Sequence, residues 1–194
     1  MRAFYEDLWT RLPDELGRDE LQRRARFLRN HLEPGDSVLD LGCGDGAWAA
    51  EAPPAGQWTG ADIAEAALER ARRVHPEGEW VRIAEEAPLP FATGSFDVVW
   101  CSETLEHVAD TARFLAEARR VLHPDGVLLV TVPDHPRLRR ALRALVAFER
   151  AFPPLGDHLR FYTTAALRDA LADADLARVE IERSGPLLLA SARR

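Results

Sequence analysis

Lysine is missing from this chain, and all 25 of its basic residues are arginine. Together with many alanines and prolines, that is a coding bias rather than a function. Cysteine is scarce. Cys43 and Cys101 are the only two, which excludes a disulfide framework and points to reduced thiols. The sequence has no Cys/His cluster with zinc spacing, so no metal site is expected. It has no apolar run long enough to span a bilayer, so no membrane role is expected. The first residues, MRAFYEDLWTRL, are polar and acidic, unlike a secretory leader. A cytoplasmic protein is the expectation. With a net charge of −7, an electrostatic nucleic-acid footprint is not expected. Only Arg137–Arg143 stands out as a basic run, and such a run is usually a solvated face.

What is present is ordinary in bulk and specific in detail. The 194 residues, 46% of them hydrophobic, suffice for one domain with a full core. The informative stretch is VLDLGCGDG, Val38 to Gly46. Val38, Leu39 and Leu41 read as a buried strand, and Gly42, Gly44 and Gly46 as a tight turn opening a helix. Glycine lets a backbone approach a ligand closely, and a helix start offers unpaired amides. Asp62 ends the next strand, about 20 positions after the first glycine, the spacing of a carboxylate that takes ribose hydroxyls. Gly42, Gly44 and Ala47 also fit the dinucleotide fingerprint. Two carboxylates oppose a dinucleotide. Asp45 stands at the mouth of the helix, where a pyrophosphate would lie, and anion repels anion there. Asp40 lies just before the turn, where it suits a cation. S-adenosylmethionine carries a sulfonium and an ammonium and no phosphate, and its charge matches this turn.

Four stretches, in order, carry a resemblance: VLDLGCGDG, GADIAEAALERAR, APLPFATGSFDVVWCSETLEHV and RRVLHPDGVLLVTVP. From about Leu32 onward the chain resembles a class I S-adenosylmethionine-dependent methyltransferase, of the small type similar to the ubiquinone/menaquinone-biosynthesis methyltransferases. The resemblance implies an α/β fold: a doubly wound, mostly parallel, seven-stranded, Rossmann-like sheet whose last strand inserts antiparallel. It implies S-adenosyl-L-methionine as cofactor and S-adenosyl-L-homocysteine as product. The Gly42–Gly46 turn, including Cys43, then cradles the methionine part. Asp62 takes the ribose hydroxyls, Ile63 packs on the adenine, and Glu85 or Glu86 receives the adenine amine. Cys101 offers its backbone carbonyl to the ammonium.

The remaining pattern fits this frame. Phe4, Leu8 and Leu12 share a helical face, and Asp19–Leu32 is a second helix stopped by Pro34-Gly35. Strands are expected at 37–41, 58–62, 80–83, 96–101 and 127–132, with helices at 64–74 and 110–122. Thr163 or Thr164 caps a helix ending near Ala174. Val179–Arg183 and Leu187–Ala190 form a closing hairpin. One domain, 1–194, is expected. Its residues 1–32 form a helical cap or lid, and an insertion at 136–160 roofs the acceptor site.

Ligands in such sheets sit beyond the carboxyl ends of the strands, where Asp40, Asp62, Glu85, Ser102 and Asp134 all fall. Methyl transfer needs positioning and, for some acceptors, one proton removed. His107, His135 and His158 are the candidate bases, each open to a purely structural role. Glu103 and Glu106 are open in the same way. Tyr5 and Trp9 are candidates for an aromatic lid over a cation, and Phe148 and Tyr162 for acceptor contacts. The expected partner is a small-molecule acceptor, and the expected assembly a monomer or homodimer. A nicotinamide-dependent reductase and a silent cofactor- or partner-binding module remain the alternatives.

Overall fold

The computed structural model describes residues 2–11, 18–51, 56–85, 87–134 and 159–194. Two helices open the described chain, α1 (Arg2–Arg11) and α2 (Arg18–Arg29). Then follow β1 (Ser37–Leu41), α3 (Ala47–Glu51), β2 (Gln57–Asp62), α4 (Glu65–Val74) and β3 (Glu79–Arg82). β4 (Phe96–Ser102), a 3-10 turn (Leu105–His107), α5 (Thr111–Val121) and β5 (Leu122–Pro133) come next. The chain closes with α6 (Thr164–Asp173), β6 (Ala177–Ser184) and β7 (Leu187–Arg193).

The strands form one seven-stranded sheet in the order β3-β2-β1-β4-β5-β7-β6. β1 to β5 pair in parallel, and β7 runs antiparallel to both β5 and β6. This is the expected doubly wound sheet with its antiparallel closing hairpin. Side chains alternate across it with the strand period of two. On one face Val38, Val98, Trp100 and Leu129 pack against Leu28 of α2 and Trp48 of α3. On the other, Leu39, Val99, Leu128 and Val130 pack against Leu115 of α5 and Leu167 of α6. Both faces are covered, so the central strands read as near-continuous apolar runs.

Several boundaries move for physical reasons. β5 begins at Leu122, not Val127, because Leu122 already pairs with Phe96 before the register shifts. Residues 123–125 stay exposed, so their composition resembles a turn. β7 continues to Arg193, since Ser191 and Ala192 remain buried against β5. α2 ends at Arg29. Thr163 caps α6 as expected, accepting from the Ala166 amide at 3.1 Å, and Asp110, expected within α5, instead caps it, accepting from the Arg113 amide at 3.0 Å. The insertion at 136–160 falls largely outside the described residues, as does Leu12.

Candidate active site

The carboxyl ends of β1 and β4, at the point where the strand order reverses, open into a cavity of about 390 Å³. That size suits a small ligand. Its floor is the β1–α3 turn. Gly42 and Gly44 have φ of +84° and +54°, which favour glycine. A Cβ on Gly42 would lie 2.4 Å from the Thr104 side chain, and one on Gly44 would lie 2.5 Å from the Trp9 indole.

The amides of this turn are engaged within the protein. Those of Gly42 and Cys43 donate to the Ala61 carbonyl at 2.7 and 3.1 Å, and that of Gly46 to the Cys43 carbonyl at 3.0 Å. The Gly44 amide donates to Asp62 Oδ2 at 3.0 Å, and that of Ala47 to Asp45 Oδ1 at 3.3 Å. At the helix start expected to offer free donors, the Ala47 amide is thus already taken by Asp45. Asp45 occupies the place of an incoming anion, as its charge implies.

Asp62 ties the two halves of the floor together. Its Oδ1 accepts from the Ala64 amide at 2.9 Å while Oδ2 holds Gly44. Burial raises its pKa, the amides of Ala64, Gly44 and Ile63 pull it back down, and the nearby Glu6 carboxylate raises it.

One wall of the cavity comes from α1. Tyr5, Leu8 and Trp9 line it, one face at i, i+3, i+4. The face is turned from the expected Phe4–Leu8–Leu12 stripe, and Phe4 is left 45% exposed. The Tyr5 ring meets the His107 ring edge-on at 5.7 Å. Glu6 latches α1 to α4: its carboxylate accepts from the amides of Glu65 at 2.9 Å and Ala66 at 3.2 Å. α4 has no cap of its own at Ala64, so Glu6 serves as one from 59 residues away. Glu6→Ala should cost about 1–2 kcal/mol of stability and speed amide exchange at Glu65 and Ala66. Unchanged exchange in a hydrogen–deuterium experiment contradicts the latch.

The remaining wall is apolar and braced. Ile63, Ile83, Leu89 and Phe114 line it. Arg120 donates to the carbonyls of Leu89 and Phe91 at 3.0 and 2.9 Å, while Glu117 accepts from the Leu89 amide at 2.7 Å. Arg120 and Glu117 pair at 2.8 Å, and that hydrogen bond holds the Glu117 carboxyl below its ordinary pKa. Among the described residues, the charged groups of the lining are Asp62, Glu85, Glu103, Asp110 and Glu117 against Arg113, with His107 beside them. The cavity is strongly acidic.

Of the residues expected from sequence, Tyr5, Trp9, Gly42, Gly44, Asp62, Ile63, Glu85 and His107 stand on the cavity wall. Asp40, Cys43, Cys101, Ser102 and Tyr162 are buried and lie behind it. Cys43 packs with Leu68, Ala71 and Trp80. Tyr162 belongs to the core around Leu105, its hydroxyl 3.3 Å from Thr111 Oγ1. Burial pushes both cysteine thiols up in pKa, so neither is a ready nucleophile. Glu86, His135, Phe148 and His158 lie outside the described residues. Ile83, Phe114 and Glu117 line the cavity without having been singled out, and Leu8, expected only on a helical face, lines it too. Phe114 and Glu117 are three apart on the amphipathic α5, a spacing that places both on one helix face.

Asp40 is fully buried, and neither carboxylate oxygen has a hydrogen-bond partner among the described residues. Burial, then Asp62 and Asp45, raise its pKa well above the ordinary carboxylate value. The folded state thus binds a proton more tightly than the unfolded chain does. Stability is lost as pH rises from the ordinary carboxylate range through the raised value. Asp40→Asn should accordingly raise the Tm of the ligand-free protein at pH 7, by about 2–4 °C for each kcal/mol recovered. It should also flatten the decline in Tm above pH 4. A lower Tm at pH 7 contradicts this.

A glycine turn at the reversal point, a carboxylate ending β2 and an acidic cavity define a nucleoside-cofactor-binding α/β protein. A family profile described as "Methyltransferase domain" matches residues 39–130. The ubiquinone biosynthesis O-methyltransferase of Idiomarina loihiensis is 34% identical over 168 residues, covering 79% of this chain and 69% of the relative. The 27-O-demethylrifamycin SV methyltransferase of Amycolatopsis mediterranei is 35% identical over 163 residues, covering 75% of this chain and 56% of the relative. The methyltransferase solved in complex with the Haloferax volcanii Trm112 activator superposes with a TM-score of 0.74 at 19% identity, covering 99% of this chain and 96% of that one. The chain belongs to the class I S-adenosylmethionine-dependent methyltransferases. The chain spans 31% to 60% of the length of three of the curated relatives it matches, the Amycolatopsis enzyme among them. No helix among the described residues is long and apolar enough to cross a membrane.

Proposed function

We propose that this protein transfers a methyl group from S-adenosylmethionine to a small organic acceptor at oxygen, nitrogen or carbon. The observation that carries the reading is an acidic cavity above a glycine turn whose amides are engaged internally. Such a floor repels a pyrophosphate and attracts a cation.

The residues present fit the cofactor that the family uses. Asp62 has acceptor capacity beyond its two backbone bonds, since a carboxylate offers about four lone-pair sites, and it receives the ribose hydroxyls. Ile63 and Ile83 flank the adenine, and Glu85 takes its amino group. When bound, the cofactor supplies a methyl group activated on a sulfonium. Tyr5 and Trp9 exclude water above it and offer ring faces to a positive charge. His107 faces the cavity with Nε2 3.9 Å from Glu106 Oε1, and it accepts a proton from an acceptor that carries one. The carboxylate beside it stabilises the protonated ring.

Transfer of labelled methyl groups from S-adenosylmethionine across a metabolite library tests the activity. Calorimetry with S-adenosylhomocysteine and NADH separates the rival cofactors. Binding of NADH alone favours a reductase, and binding of S-adenosylhomocysteine without turnover favours a silent module.

A further inference from the structure

We infer that Arg160 is a positioning residue for the reaction: it holds the turn that carries His107 in place at the cavity wall. The inference rests on the reading of His107 as proton acceptor and deepens it. That turn, Leu105–His107, is a single 3-10 turn with few bonds of its own. The His107 amide donates to the Thr104 carbonyl at 3.0 Å, and the Val108 amide to the Leu105 carbonyl at 3.4 Å. Thr104, which precedes the turn, gives it no side-chain cap; its hydroxyl donates to the Ser102 carbonyl at 3.1 Å. A 3-10 helix of this length is marginal by itself. Yet His107, Val108, Ala109 and Asp110 form a continuous stretch of the cavity wall.

The stretch is fastened by residues 159–160, which do not line the cavity themselves. The amides of Leu159 and Arg160 both donate to the Glu106 carbonyl, at 2.9 and 3.2 Å. The Arg160 guanidinium then donates through one nitrogen to the Val108 carbonyl and through the other to the Ala109 carbonyl. These bonds land on both flanks of His107. A guanidinium is a planar fork of fixed geometry, so it ties two successive carbonyls at once; an ammonium is a single point. Where the His107 ring stands, edge-on to Tyr5 at 5.7 Å and with Nε2 3.9 Å from Glu106 Oε1, therefore follows from Arg160. Displacing a reacting group by about 1 Å can cost about a hundredfold in rate. Among the described residues, the hydrogen bonds of Arg160 reach only positions 106, 108 and 109. None of these belongs to the glycine turn or to the proposed nucleoside end, so cofactor affinity should not depend on Arg160.

NMR of Arg160→Lys and Arg160→Ala, each loaded with S-adenosylhomocysteine, tests this against wild type. Both variants should lose the nuclear Overhauser contact between the Tyr5 and His107 rings and shift the His107 ring signals. Amide exchange at His107 should speed at least tenfold, while S-adenosylhomocysteine affinity stays within twofold. Millimolar ethylguanidinium should restore the ring contact in Arg160→Ala, and ethylammonium should not. A purely structural Arg160 would lower the Tm and leave the His107 signals of the folded protein in place. That result in Arg160→Lys overturns the inference, even if Arg160→Ala does not fold. A tenfold loss of S-adenosylhomocysteine affinity in Arg160→Lys also overturns it. His107→Gln separates the two readings through transfer of labelled methyl groups. If it abolishes transfer while the Arg160 variants keep the His107 signals, the inference alone fails. If it retains full transfer, the proton-acceptor reading fails and the inference falls with it.

Discussion

Replacing Asp62 with alanine will weaken S-adenosylhomocysteine binding by about a hundredfold or more. The carboxylate is 8% exposed and holds the Gly44 amide at 3.0 Å and the Ala64 amide at 2.9 Å. Its removal leaves two backbone donors without their acceptor and takes away the proposed ribose contact. Hydrogen bonds to a charged group contribute about 1.5–3 kcal/mol each, and a hundredfold change corresponds to about 2.7 kcal/mol. One ribose contact and a loosened turn together reach that range. Asp62→Asn is not a mild substitution here. An amide has one accepting oxygen, so its NH₂ must face either the Gly44 or the Ala64 amide, donor against donor. Both variants should therefore lose affinity, with Asn retaining part of it. Calorimetry with S-adenosylhomocysteine checks the pair. An alanine variant within threefold of wild type removes Asp62 from the cofactor site.

Trp100→Ala should be the most costly core substitution, at about 3–5 kcal/mol. The indole is fully buried at the centre of the sheet, in edge-on contact with Trp48 at 5.5 Å and near Phe27 at 6.3 Å. It joins β4 to α3 and α2, so its loss leaves a cavity that three elements cannot close together. A domain is stable by only about 5–15 kcal/mol, and the variant will sit near the limit of folding at 37 °C. Trp100→Phe should cost less. It removes an indole N–H that has no hydrogen-bond partner among the described residues, which offsets part of the lost packing. Urea denaturation of the two variants measures the difference. Equal losses would show that a phenyl ring recovers none of the lost packing, and contradict this.

The sheet was legible because its signals are local. A strand buried on both faces is a run of apolar residues, as in Phe96–Cys101, and it needs no knowledge of its neighbours. The Gly42–Gly46 turn and Asp62 were legible for the same reason, as fixed residue types at fixed offsets. The features that escaped are set by distant partners. Nothing near Glu6 shows that it caps a helix beginning 59 residues later. Nothing near Tyr162 distinguishes a cavity wall from a core; packing against Leu105 decides it. The helical period of α1 was clear, but the inward face was chosen by His107 and Gly44. The turn's amides read as available from sequence because their acceptors, Ala61 and Asp62, belong to another strand.

The central claim is that a cationic adenosine cofactor lies between α1 and the acidic floor at the reversal point of the sheet. A crystal structure grown with S-adenosylhomocysteine tests it most directly. The account predicts ribose hydroxyls on the Asp62 carboxylate, adenine between Ile63 and Ile83, and the sulfur directed toward Glu103 and His107. Density for the molecule at another surface, or a ribose that leaves Asp62 untouched, contradicts it.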